Sequence, residues 1–193
     1  MGLTFYNKEN MAVKTFGTEV LTSADTNTYL ANSGLVFVKQ QTVGSGATSI
    51  AVTGAFSAEY DNYKIIIAGG VGSTTENMRV ILGATVTGYA YGGYFVRYNT
   101  GVGAFTGSGT AGTRIEAGYV TANGAYCELD LVLPNAAKRT GFRAQAGALS
   151  DYFAIHYQGF IDNATQYTDF TVSFAGTASL TGGTITVYGY RKG

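Results

Sequence analysis

Tyr126-Cys127-Glu128-Leu129-Asp130-Leu131-Val132-Leu133 alternates along its whole length. Cys127, Leu129, Leu131 and Leu133 fall on one face; Tyr126, Glu128, Asp130 and Val132 fall on the other. A period of two is the spacing of a β-strand, so this stretch reads as a strand with one face in a core. Asn123-Gly124, just before it, is a hairpin-turn signal. On the far side of that turn, residues 114–121 alternate in the same way.

The same signals recur in both directions. Upstream, residues 35–39, 49–53, 63–68, 78–83 and 89–98 read as strands. Residues 89–98 are the expected partner of 78–83, with Gly92-Gly93 as a bulge or kink. Residues 56–62 read as a tight helical turn, and residues 99–113, rich in Gly, Thr and Ser, as a long loop. Downstream, residues 142–146, 152–158, 170–174 and 184–190 complete the series, with Gly182-Gly183 as the turn before the last. About ten short strands punctuated by glycine turns imply an all-β fold, a β-sandwich or jelly roll, with an up-and-down barrel as the competitor. No internal repeat recurs at a fixed period, which argues against a propeller or solenoid.

The first 34 residues differ. Residues 22–34 read as one short N-terminal helix, with Thr22 or Ser23 as the cap, Asp25 at the positive end of the dipole, and Asn32 to Gly34 as the stop. Phe16, Leu21, Asp25, Tyr29 and Leu30 are the candidate docking residues. A helix this short needs something to pack on, its own domain or a partner. The expected organisation is an arm with a docking helix over 1–34 and a β-sandwich domain over 35–193.

Composition narrows the function. The chain has 193 residues, 12 basic and 12 acidic side chains and a formal net charge of zero. No long-range field draws in a polyanion, so nucleic acid is not an expected partner. Charged residues are only 12% of the chain, about half the usual share, which removes the ordinary protection against self-association. With 28 Gly, 15 Tyr and 11 Phe, the sequence is unlike disordered chains. No run approaches the ~18 apolar residues of a membrane span, so no membrane insertion is expected. Residues 1–10 carry no apolar signal core, so synthesis in the cytoplasm is expected.

Little in the sequence points to catalysis. The single His156 lies on the polar face of a strand, where a surface or subunit contact is the ordinary role; no nucleophile-elbow pentapeptide accompanies it. Cys127, the single cysteine, sits among leucines as an inert hydrophobe, and one cysteine makes neither an internal disulfide nor a multi-cysteine zinc site. Glu128 and Asp130 stand close enough to hold a cation or pair with Arg, although carboxylates so spaced are usually a solvated face. Gly107-Ser108-Gly109-Thr110-Ala111-Gly112 matches the dinucleotide fingerprint by spelling, but strand-like residues follow it where a helix is needed. Asn163-Ala164-Thr165 is a glycosylation sequon by spelling alone. No cofactor and no metal are expected. Tyr89, Tyr91, Tyr94 and Tyr98 are the candidate exposed binding surface, since tyrosine serves both interfaces and sugar stacking; core pairing is the competing role.

Leu21-Thr22-Ser23-Ala24-Asp25-Thr26-Asn27 resembles the opening of many small virion proteins of tailed bacteriophages. Residues 56–63 and 163–170, and the closing Gly182-Gly183-Thr184-Ile185-Thr186-Val187-Tyr188-Gly189-Tyr190-Arg191, extend the resemblance over nearly the whole chain. It implies a virion component, usually a tail, fibre or minor structural protein, and it implies no catalytic residue. The expectation is a tail protein (fibre, tip or baseplate), non-enzymatic, assembling with itself as a homotrimer and with other virion proteins. A host surface glycan is a further expected partner. A capsid decoration or head-fibre protein is the alternative, and a polysaccharide-degrading enzyme the more distant one.

Overall fold

Strands account for every regular element of the computed structural model, which describes residues 4–6, 13–15, 34–97, 101–149 and 153–192. The chain divides into two compact units, Met1–Gly34 and Leu35–Gly193. The first holds β1 (Thr4–Tyr6) and β2 (Val13–Thr15), an antiparallel pair with Thr4 opposite Thr15. The expected helix over 22–34 lies outside the described residues.

The second unit holds β3 (Leu35–Thr42), β4 (Ser49–Val52), β5 (Asn62–Gly69), β6 (Val71–Gly72), β7 (Glu76–Leu82), β8 (Tyr89–Arg97) and β9 (Gly101–Gly112). They are followed by β10 (Ile115–Thr121), β11 (Gly124–Val132), β12 (Thr140–Ala148), β13 (Phe153–Ile161), β14 (Phe170–Phe174), β15 (Leu180–Thr181) and β16 (Thr184–Tyr190). All pairings are antiparallel. A long path runs β3-β16-β5-β11-β12-β13-β8-β9, and a short path runs β4-β14-β7-β10. The two paths join where β10 turns through residues 122–123 into β11, with Thr121 opposite Gly124. The small β6–β15 ladder is hydrogen-bonded into neither path.

Alternation builds the core. Tyr63, Ile65 and Ile67 of β5 and Cys127, Leu129 and Leu131 of β11 are buried, as are Met78, Val80 and Leu82 of β7 and Phe170, Val172 and Phe174 of β14. These side chains of the two paths belong to one apolar cluster. Burying each large one contributes about 1.5–3 kcal/mol. Phe56, from the loop before β5, stacks on Phe170 at 5.6 Å and meets Tyr63 edge-on at 4.9 Å.

The structure corrects four expectations. Leu133 is not on the strand that holds Cys127, Leu129 and Leu131. β11 ends at Val132, and Leu133 turns left-handed with φ 58°. Its amide donates to the Asp61 carbonyl at 2.7 Å, and that backbone bond holds the turn. Residues 99–113 are not a loop; most of them form β9, since a ladder needs only backbone groups and a Gly-Ser-Thr composition hides it from pattern reading. β7 does not pair with β8. β7 lies between β10 and β14 in the short path, and β8 lies between β13 and β9 in the long one. The irregularity in β8 falls between Tyr89 and Tyr91, while Gly92 and Gly93 keep regular partners. Residues 56–62 hold a turn at Ala58 and Glu59. The Tyr63 hydroxyl accepts from the Ser57 amide at 2.7 Å and donates to the Ser57 carbonyl at 2.9 Å, just before that turn.

Candidate functional site

The outward face of the long path carries the polar and aromatic side chains that alternation keeps out of the core. Register aligns them in rows. One row crosses Lys64, Asp130, Arg143, Gln158 and Gly92. The next crosses Asn62, Val132, Gly141, Phe160 and Ala90. Gly92 and Gly141 bring no side chain, and a Cβ at Gly92 would meet nothing within 4 Å. The hollow between their taller neighbours, closed at one end by Tyr190, is a trough of about 960 Å³.

The charges around the trough are matched. Asp130 Oδ2 accepts from Arg143 Nη2 at 2.7 Å, and Asp130 Oδ1 accepts from the Tyr190 hydroxyl at 3.1 Å. Lys64 Nζ lies 3.6 Å from Asp130 Oδ1 and donates to Glu128 Oε2 at 2.8 Å. The Tyr126 hydroxyl donates to Glu128 Oε1 at 3.1 Å. The hydrogen bonds from Lys64 and Tyr126 hold the Glu128 carboxyl below the usual carboxylate range, because they favour its charged form. Partial burial and then the Asp130 charge push the Tyr190 phenol up. Farther along, Arg139 Nη2 pairs with Asp162 Oδ1 at 2.6 Å, and its guanidinium lies 5.1 Å from the centre of the Phe160 ring.

The four tyrosines do not form one surface. Tyr89 is fully buried, which removes it from the exposed set. Parity from the strand start points it inward, and its hydroxyl is satisfied there. Tyr91 points the same way and is half-buried against Phe142 and Tyr157. Tyr94 has the opposite parity, is exposed, and stacks on His156 with ring centres 5.5 Å apart. Tyr98 lies outside the described residues, as do Phe16, Leu21, Asp25, Tyr29 and Leu30. His156 therefore forms an aromatic shelf with Tyr94 beside the trough.

Glu128 and Asp130 are engaged by Lys64, Arg143 and two tyrosine hydroxyls. Among the described residues no three His, Cys, Asp or Glu side chains gather as metal donors. Cys127 is buried, and burial pushes its thiol up to about 12. Gly107 to Gly112 lie inside β9. Asn163 Oδ1 accepts from the Thr165 amide and the Tyr167 hydroxyl, both at 3.0 Å, so this side chain closes a turn.

Sequence reading missed Asn62, Arg143, Gln158, Phe160 and Tyr190 as a group. Their signal is the glycine at outward parity in each of two strands, Gly92 and Gly141. It becomes legible only when register places those glycines near one another. No protein-family model matches the chain, and no curated protein matches it at a significant level.

Proposed function

We propose that this chain is a structural protein of a bacteriophage virion, placed in the tail (fibre, tip or baseplate), assembling as a homotrimer and running no chemistry. In this reading the long and short paths are the two layers of a jelly-roll-like β-sandwich. The Phe170–Phe56–Tyr63 ring contacts between the paths support that layering. The resemblance of residues 21–27 and 182–191 to phage virion proteins supports the location. The two carboxylates nearest the trough are tied into ion pairs, which supports a binding rather than a hydrolytic role.

The observation that carries assembly is the edge at β9, which has no strand on its outer side among the described residues. It is twelve residues long, ends the long path, and contains no charged residue. Natural edge strands are usually shortened or charged to prevent pairing with another chain; β9 is neither, and its bulge is confined to the Gly107–Gly112 end. Beside this edge Val96 and Val102 sit opposite each other and are 37% and 73% exposed. An uncharged edge with an apolar flank suits a second copy of the same chain. The arm residues Phe16, Leu21, Asp25, Tyr29 and Leu30 would then dock the oligomer on other virion proteins.

Immunogold labelling of purified virions with an antibody to this chain tests the location. Label at the tail is the expected result. Label confined to the head overturns the tail placement in favour of a decoration or head-fibre protein, and virions without label overturn the virion reading.

A further inference from the structure

We infer that the trough between Tyr190 and Gly92 binds a neutral saccharide. This deepens the host-attachment part of the proposed function and rests on it only for the source of the sugar. A sugar ring presents hydroxyls that both donate and accept, and a C–H face that packs on apolar surface. The trough offers the complement of each.

Donors come first. Arg143 spends one nitrogen on Asp130, and its side chain is 61% exposed. The remaining N–H groups of its planar fork are open to a ligand. Asp130 fixes that fork from below, so little side-chain freedom is lost when a hydroxyl binds. The Gln158 amide, exposed in the same row, adds both a donor and an acceptor. Asn62 lines the trough, and its Oδ1 is shielded from solvent without a hydrogen-bond partner. An unpaired buried acceptor carries a desolvation cost, and turning its soft terminal torsion offers it to a ligand hydroxyl. The apolar wall is Val132 and Phe160, 47% and 39% exposed in one row on either side of Gly141.

Charge selects among sugars. Three cations, Lys64, Arg139 and Arg143, face three anions, Glu128, Asp130 and Asp162, in direct pairs. A uronate or sialate would have to compete with Asp130 for Arg143 and would meet the remaining carboxylates. A neutral polyol uses the same groups through charge-assisted hydrogen bonds and needs no counter-charge. Binding should therefore depend little on salt, unlike an ion-pair site.

The test is an array of neutral hexose and N-acetylhexosamine oligosaccharides, with uronic-acid and sialic-acid oligosaccharides beside them. Hits are then titrated by calorimetry at low and high salt. The full chain is expected to bind neutral members, with affinity changing less than about twofold between ~0.05 and ~0.5 M salt. Gly92→Leu, which fills open space, should weaken binding about tenfold or more, and Gln158→Ala should weaken it several-fold, with thermal melting unchanged in both. No neutral binding at millimolar sugar, a preference for acidic sugars that collapses in salt, or wild-type affinity in both variants overturns the inference. A trimer that binds no neutral sugar counts against the trough alone. A monomer that binds sugar counts against the assembly reading alone.

Discussion

The hydroxyl of Tyr89 accepts a hydrogen bond from the backbone amide of Leu82 at 3.0 Å. It also donates to the Thr85 carbonyl at 3.1 Å. Tyr89 opens β8 of the long path, and Leu82 closes β7 of the short path, so one buried phenol ties the two together. Burial pushes its pKa up, keeping the hydroxyl protonated. Tyr89→Phe leaves both backbone groups without this partner. It should cost about 1–3 kcal/mol, lowering Tm by roughly 2–4 °C per kcal/mol. Tyr94→Phe, on an exposed ring, should change stability by less than about 0.5 kcal/mol. Thermal melting of both variants checks the contrast.

Glu128 sets an acid limit. Its folded pKa is depressed by the hydrogen bonds from Lys64 and Tyr126. A depressed carboxylate adds stability that is fully present above its unfolded pKa, about 4.3, and is lost as pH falls through the folded value. The stability difference between wild type and Glu128→Gln should be flat at neutral pH and shrink below about pH 4.3. Urea melts at stepped pH measure it. A difference that persists undiminished at pH 2 would remove Glu128 from the account.

Cys127 should be silent. Its thiol is buried, with Cys127 opposite Ile67 on one side and Ala146 on the other, and the raised pKa, about 12, leaves almost no thiolate at neutral pH. The thiolate is the reactive form. A chromogenic disulfide reagent should label no thiol in the native chain and one per chain in guanidinium. Fast native labelling would place Cys127 at the surface.

Adjacent glycines in β8 should respond oppositely. A Cβ at Gly93 would run into the His156 carbonyl and come within 2.5 Å of Tyr157 Cβ, both on β13. Gly93→Ala must push the two strands apart and should cost about 1–3 kcal/mol or more. Gly92→Ala faces open space and should stay within about 0.5 kcal/mol of wild type. Denaturant midpoints for the two variants decide it.

The sequence was most informative where side chains alternate. β14 and β16 appear at the bounds read from residues 170–174 and 184–190. The turn before Gly124 is legible because a hairpin demands particular residues there. β9 was not legible, since its pairing with β8 is a matter of backbone groups that Gly, Ser and Thr carry as well as Val does. The neighbours of β7 were not legible either. Sequence proximity to β8 favoured a hairpin, whereas apolar side chains on both strands allow each to sit in a different path. Leu133 looked like the last strand residue because parity ignores φ. The trough stayed hidden for a further reason: it is made of absences, at Gly92 and Gly141, whose meaning depends on what stands beside them.

Assembly is the central claim, and the edge at β9 with Val96 and Val102 is its basis. The most direct measurement is light scattering on the purified chain at micromolar concentration, run beside Val96→Lys/Val102→Lys. The expected result is a particle of three chains of 20.2 kDa each, reduced to one chain by the two lysines with little change in circular dichroism. A wild-type particle of a single 20.2 kDa chain would contradict it.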